Sequence, residues 1–363
     1  MQPGHLIHHE PVETSITGAR AWRVRYLSRD MAGRDHEVTG MVIASVAAGT
    51  DRPLVTWCHG TTGLGDAACL SAQPDPACEL TGYFTAESAQ QIDYGVPGLQ
   101  AMIDAGWVVC ATDYQGLGSP GVHQYMASHT NARDAVFIAR AARHLDAGAG
   151  VRLAAIGWSQ GGGAAAALCE LDAADFGDLD LVGSVLYSPG VASVALAMPS
   201  GESAALSDPS VAPSAHLVMM IAGVAAATDG LNLGDLLTPL GVELVETAWN
   251  HQPVHHLDDT IKRLFHLRGA IIRADPQNFD AWKQAIVASS AGRTAPLCPI
   301  LMCVDGFNGG TVVPVAWQDA YAQIAAGLGA SIERLEFPHD DHFSVPGAAA
   351  PQAQAWLATH LHS

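Results

Sequence analysis

The chain reads as an α/β fold: a mostly parallel eight-stranded sheet, helices on both faces, and a helical insertion late in the sequence. Three observations carry this. Short runs that are apolar almost throughout (54–58, 107–112, 153–157, 181–187 and 300–304) alternate with small-residue helical stretches. Strands buried on both faces of a parallel sheet have this composition. Two runs that alternate apolar and polar residues, 21–27 and 37–46, flank a polar turn and predict an opening hairpin. Finally, the interval 191–296 has no clear strand signal.

Taking the elements in order, the hairpin is followed by strands at 54–58, 107–112, 153–157, 181–187 and 300–304. A last alternating strand at 331–337 belongs near an edge. Helices are predicted at 98–105, 131–145, 161–173, 315–328 and 349–362. Within the insertion, helical pieces at 214–227, 258–267 and 279–289 are separated by Pro209, Pro213, Pro239, Pro253 and Pro276. The expected organisation is a core of residues 1–190 and 297–363 and a cap of 191–296. Such a cap sits over the carboxyl ends of the strands, where open α/β sheets bind ligands.

Composition bounds the partners. The 363 residues carry a formal charge of −19, and Lys262 and Lys283 are the only lysines. That balance repels phosphates, so nucleic acid and anionic membrane surfaces are set aside. No apolar run is long enough for a membrane-spanning helix. The first ten residues lack the basic start and apolar stretch of a secretory signal, so the protein either stays inside the cell or has had its signal removed. Export with the signal removed is the expectation taken. The sequence sets no oligomeric state. Of seven cysteines, Cys58, Cys110, Cys169, Cys298 and Cys303 lie in or beside apolar runs and read as buried small hydrophobes. Cys69 and Cys78 bracket a loop that a disulfide would close, the alternative being two reduced thiols.

The chemistry centres on Gly157-Trp158-Ser159-Gln160-Gly161, a G-x-S-x-G directly after an apolar strand and before a helix-opening run of glycines and alanines. A nucleophile on so tight a turn needs small neighbours on both sides. A serine hydroxyl also needs a base. His342, in the loop after 331–337, is the choice because it lies farther past the strand end than its competitor His339. The oxyanion hole needs two backbone amides. Gln160 supplies one, and the His59-Gly60-Thr61-Thr62-Gly63 loop supplies the other, with Thr61 preferred and Thr62 second. His59 is expected to be a structural hydrogen-bonding residue and Asp113 a loop anchor. His251, His255, His256, Asp258 and Asp259 suggest a metal cluster, but their polar setting favours a solvated helix start. The stretch 218–227 is read either as acyl-pocket lining or as an ordinary core helix.

With these elements in place, the chain resembles the secretory lipase family of α/β-hydrolases, which includes fungal and actinobacterial lipases and esterases. The resemblance rests on His59–Gly63 with Gly65, Asp66 and Cys69, on Ala111-Thr112-Asp113-Tyr114-Gln115-Gly116-Leu117-Gly118, on 157–161, and on Val312-Val313-Pro314. It implies hydrolysis of acylglycerols or smaller esters, a helical lid-bearing cap, and no metal or organic cofactor. One departure concerns the catalytic acid. The family loop usually reads Gly-x-x-Asp-x-x-Val-Pro, and counting back from Pro314 puts Gly310 where the aspartate belongs. Asp305, at the strand end, is the favoured substitute; Asp340, Asp341, Glu336 and Asn308 are the others. The expected function is a serine carboxylic ester hydrolase acting on a small-molecule or lipid ester. Acyl transfer to an alcohol and a hydrolase-fold protein with impaired catalysis at Gly310 are the alternatives.

Overall fold

A computed structural model describes residues 2–82, 92–199 and 201–362. The chain runs β1 (Leu6–Val12), β2 (Ala19–Arg29), β3 (Asp35–Ser45), β4 (Arg52–Cys58), α1 (Leu99–Asp104), β5 (Val108–Thr112), α2 (Ser128–Ala142), β6 (Ala149–Trp158), α3 (Gln160–Leu168), α4 (Ala173–Phe176) and β7 (Asp180–Tyr187). Then come α5 (Ala192–Ala197), α6 (Ala215–Ala227), α7 (Pro239–Ala248), α8 (Val254–Arg268) and α9 (Phe279–Ser289) before β8 (Ile300–Asp305), α10 (Val315–Gly327), β9 (Ile332–Phe337) and α11 (Val345–Leu361).

All nine strands form one sheet in the order β1-β2-β3-β5-β4-β6-β7-β8-β9. The first three strands and β5 pair antiparallel, and every pairing from β5 to β9 is parallel. The opening hairpin and the edge position of 331–337 are as expected. The count is not: β1 is a ninth strand. Five of its seven residues are exposed, so it shows no apolar face, and it is held by pairing along β2.

The sheet packs on both faces. One face, with Val42, Leu54 and Met302, meets α2, α3 and α10; the other, with Trp57, Val109 and Leu301, meets α1 and α11. Parallel crossovers bury both surfaces of a strand, which is why β4, β5 and β8 are apolar nearly throughout. The insertion between β7 and β8 contributes a separate apolar cluster around Ile221, Leu244, Ile261 and Trp282. The expected helices are present there, joined by α5 and α7. Ser214 caps α6, accepting from the Leu217 N–H at 3.2 Å, and Pro239 opens α7 behind a Thr238 cap.

All seven cysteines are free, so the Cys69–Cys78 bridge is not formed. The Cys69 thiol points instead at the Asp113 carboxylate, 3.4 Å away. Cys169 and Cys298 bring their sulfurs to 3.6 Å, a proximity that sequence spacing does not reveal.

Trp282 is fully buried in the insertion cluster, and its indole N–H donates to Asp235 at 3.1 Å. Trp282→Ala is expected to lower the unfolding free energy by about 3–5 kcal/mol in a denaturant titration. A loss under about 1 kcal/mol would show that the insertion repacks around the void.

Candidate active site

β6 ends at Trp158 and α3 starts at Gln160, so Ser159 alone makes the turn between them. It does so at φ 56°, ψ −117°, a region that costs energy for any residue with a Cβ. Hydrogen bonds hold it there. The Ser159 N–H donates to the Tyr187 carbonyl at 3.0 Å, and the Ser159 carbonyl accepts from Gly163 and Gly190 at 3.1 and 2.8 Å. Two neighbours must be glycine because backbone fills the space. A Cβ on Gly157 would lie 2.0 Å from the Gly161 carbonyl oxygen, and one on Gly161 would lie 1.9 Å from that of Cys58.

His342 lies in the loop between β9 and α11. It is buried, whereas His339 is exposed. The His342 carbonyl accepts from the Trp158 indole at 2.8 Å, and the two rings lie 5.5 Å apart between centroids. Trp158 thus anchors the His342 loop beside the strained turn. Ser159 and His342 line one small cavity together with Thr61, Asp93, His216 and His255. Ser159 also borders a second, apolar cavity formed by Met126, Val191, Leu217, Met220, Val313 and Trp317. Within 218–227, Met220 lines this cavity, and Val218 and Ile221 pack in the insertion core.

Thr61 reaches the first cavity, its hydroxyl hydrogen-bonded to the Tyr125 hydroxyl at 2.8 Å. Thr62 does not line it, and its carbonyl accepts from Val254 N–H at 2.8 Å. Among the described residues, no protein acceptor takes the Thr61 or Gln160 amide hydrogen. At Gln160 this follows from its place in the first turn of α3, where amides have no intrahelical partner. The Gln160 side chain turns inward, its Nε2 lying 2.8 Å from His123 Nε2 and 3.2 Å from Asn131 Oδ1. An amide nitrogen only donates, so His123 Nε2 accepts, leaving Nδ1 to donate to the Gln115 carbonyl at 2.8 Å. Burial pushes the His123 pKa down to about 3, which fixes the neutral ring that this pattern needs.

His59 is structural, as expected. Its ring nitrogens lie 2.6 and 3.2 Å from the Gly60 and Asp113 carbonyls, and burial lowers its pKa, so the neutral ring donates to one of them. The Asp113 carboxylate anchors the adjoining loop, accepting from Ser71 N–H and Thr39 hydroxyl at 2.9 and 2.8 Å.

Asp305 is fully buried at the end of β8, but the structure does not join it to His342. Its Oδ1 accepts from the Ser188 hydroxyl and from Gln318 Nε2, the latter at 2.8 Å. Its Oδ2 has no hydrogen-bond partner among the described residues. The other sequence candidates are occupied elsewhere. Asp341 accepts from Phe343 and Ser344 N–H, Asp340 from the Ser344 hydroxyl, and Glu336 from Arg334. Asn308 is exposed. Gly310 sits at φ 85°, and a Cβ there would meet the Val313 carbonyl oxygen at 2.5 Å. This loop conformation has no room for a side chain where an aspartate would be counted.

Among the described residues, no group of three or more His, Cys, Asp or Glu is placed to hold a metal. Asp258 instead accepts from Ala215 N–H at 3.0 Å at the start of α6. His255 turns toward the site, its Nε2 3.8 Å from Asp93 Oδ2, and is not the solvated residue expected. Sequence reasoning missed Asp93, His216, Ser188 and Gln318. None stands in a motif, and only the fold brings them together.

No protein-family model and no curated protein sequence matches this chain. Solved structures do. The rice cell wall degrading esterase LipA from Xanthomonas oryzae superposes with a TM-score of 0.70 at 18% identity, covering 98% of this chain and 97% of that one. The chain has the α/β-hydrolase fold. Candida antarctica lipase A in its closed state gives a TM-score of 0.70 at 14% identity, over 99% of this chain and 83% of that one. The nine-stranded α/β-hydrolase sheet places the strained serine turn at the carboxyl end of β6.

The neutral His123 makes a prediction about pH. A histidine whose folded pKa lies below its unfolded value, about 6.5, contributes stability that is present above pH 6.5 and lost as pH falls through that range. Between about pH 6 and 4, unfolding free energy should therefore decline less steeply in His123→Gln than in the native chain, by up to one proton's worth of slope. Identical slopes in urea titrations would place the acid sensitivity elsewhere.

Proposed function

We propose that this α/β-hydrolase cleaves carboxylic esters through an acyl-enzyme on Ser159. The observation that carries the proposal is a serine on a strained strand–helix turn sharing a cavity with a buried histidine. The resemblance of 59–69, 111–118 and 157–161 to the secretory lipase family points the same way. So do the names of the two structural neighbours, an esterase and a lipase.

In the proposed sequence His342 removes the Ser159 proton as the oxygen attacks the ester carbonyl. The Thr61 and Gln160 amides, which lack internal acceptors, hold the developing oxyanion. His342 then passes the proton to the departing alcohol. Water, deprotonated by the same imidazole, frees the acid. The apolar cavity beside Met220 and Trp317 takes the acyl chain. Residues 1–190 and 297–363 act as the hydrolase core and 191–296 as a cap over it.

Asp305 is the acid assigned to orient His342. Ser188 and Gln318 fix one of its oxygens, and the second needs a donor because a buried carboxylate oxygen left without one is costly. Backbone bonds from Gly306 to Phe337 at 2.9 Å and from Phe307 to Asp340 at 3.1 Å tie the Asp305 loop to the His342 loop. Catalytic hydrogen bonds that are long in a free enzyme tighten when substrate binds. Gly310 favours a second reading, a hydrolase fold with impaired turnover.

Hydrolysis of p-nitrophenyl esters from acetate to palmitate tests the first reading, with Ser159→Ala as the blank. Turnover that vanishes in the variant supports it, and the preferred chain length reports the depth of the apolar cavity. No turnover above the blank at any length favours impaired catalysis. Asp305→Asn should lower kcat by about 10³–10⁴-fold with KM little changed. Gly310→Asp should not restore activity in that background, because its loop cannot house the side chain. Recovery of kcat on adding Gly310→Asp would reassign the acid to that loop.

A further inference from the structure

The cavity shared by Ser159 and His342 contains a carboxylate that the proposed mechanism does not use. Asp93 is only 4% exposed, it lines the cavity, and its Oδ1 has no hydrogen-bond partner among the described residues. Its Oδ2 faces His255 Nε2 at 3.8 Å. A buried carboxylate oxygen without a donor is a place where a ligand donor is missing. The side of the nucleophile on which it lies matters. In acyl transfer the histidine that deprotonates the serine must also protonate the departing oxygen. The alcohol portion of the ester therefore occupies the cavity holding His342, and the acyl chain occupies the adjoining apolar one, which shares Ser159 and His216 with it. Asp93 and His255 thus face the alcohol.

We propose that Asp93 makes this site selective for esters whose alcohol carries a further hydroxyl near the ester oxygen, that is, partial esters of polyols. The proposal rests on the ester-hydrolase reading above. The free hydroxyl donates to Asp93 Oδ1, and the neighbouring His255 supplies the polar complement that a hydroxyl, both donor and acceptor, requires. During acylation the Ser159 Oγ–carbonyl carbon bond forms and the ester C–O bond breaks. The serine proton travels through His342 to the polyol oxygen. Asp93 binds and takes no proton. A purely apolar alcohol offers Asp93 nothing and leaves it buried without a donor, so such esters are discriminated against.

The test compares 2,3-dihydroxypropyl butyrate with propyl butyrate, which share an acyl-enzyme and differ only in the alcohol. The expected result is a kcat/KM advantage of at least about tenfold for the dihydroxypropyl ester in the native enzyme. That advantage should shrink in Asp93→Asn and fall to within about twofold of unity in Asp93→Leu. Phosphonate labelling of Ser159 in each variant counts folded sites. Equal kcat/KM values in the native enzyme, or an advantage that survives Asp93→Leu, overturn the inference while leaving the ester hydrolase standing. An Asp93-dependent preference for choline butyrate over the dihydroxypropyl ester overturns it too, since the carboxylate would then be reading a cation. Cleavage of neither ester, or cleavage undiminished in Ser159→Ala, overturns both this inference and the reading beneath it.

Discussion

The close approach of three backbone segments beneath Ser159 sets the geometry of everything above it. The end of β4 at Cys58 and His59, the end of β6 at Gly157, and the first turn of α3 at Gly161 pack with their carbonyls in the space a side chain would fill. That contact drives α3 against the sheet and forces the one residue between strand and helix into a positive φ. The same contact brings the 59–62 backbone toward the N-terminus of α3, so Thr61 and Ser159, from distant parts of the chain, line one cavity. A hydrogen bond to the Tyr187 carbonyl at the end of β7 and one from the Gly190 N–H just beyond it brace the turn. The strain is held by structure that is buried almost throughout, which is how such conformations persist.

A second layer of order lies under this turn and is polar. Gln160 is held by His123 and Asn131, and His123 by the Gln115 carbonyl. Gln124 continues the network through Thr130, whose hydroxyl donates to it at 2.8 Å. These groups are buried, and their mutual bonds fix one arrangement, with Gln160 Oε1 left without a partner among the described residues. Around Asp305 the pattern is similar: one oxygen is doubly engaged and the other has no partner among the described residues. Each network therefore leaves one buried oxygen without a donor.

Much of this was legible in the sequence where the signal is local. The turn at Ser159 is written in five consecutive residues, and the buried strands in their unbroken apolar runs. His342 could be preferred over His339 from loop position alone, and burial separates the two in the same sense. What was not legible depends on distance or on exposure. β1 has no buried face and therefore no periodicity to read. Asp93, His216 and His255 come from segments without motif or regular spacing, and only the packing of the insertion on the core puts them in one cavity. The cysteine spacing suggested Cys69 with Cys78, whereas the fold brings Cys169 to Cys298. Counting back from Pro314 put Gly310 where the resembled family usually has an aspartate, but no count reveals that the loop there is built around a left-handed glycine.

The bond from Val254 N–H to the Thr62 carbonyl has a mechanical consequence. Val254 is the first residue of α8, and Thr62 follows Thr61, which lines the same cavity as Val254 and Ser159. Two walls of the cavity, the start of α8 and the 61–62 backbone, therefore share a tether. Any outward swing of α8 wide enough to admit a bulky molecule either breaks that bond or drags the 61–62 backbone with it. Helix and loop are geared together, so neither wall of the cavity shifts alone while that bond holds.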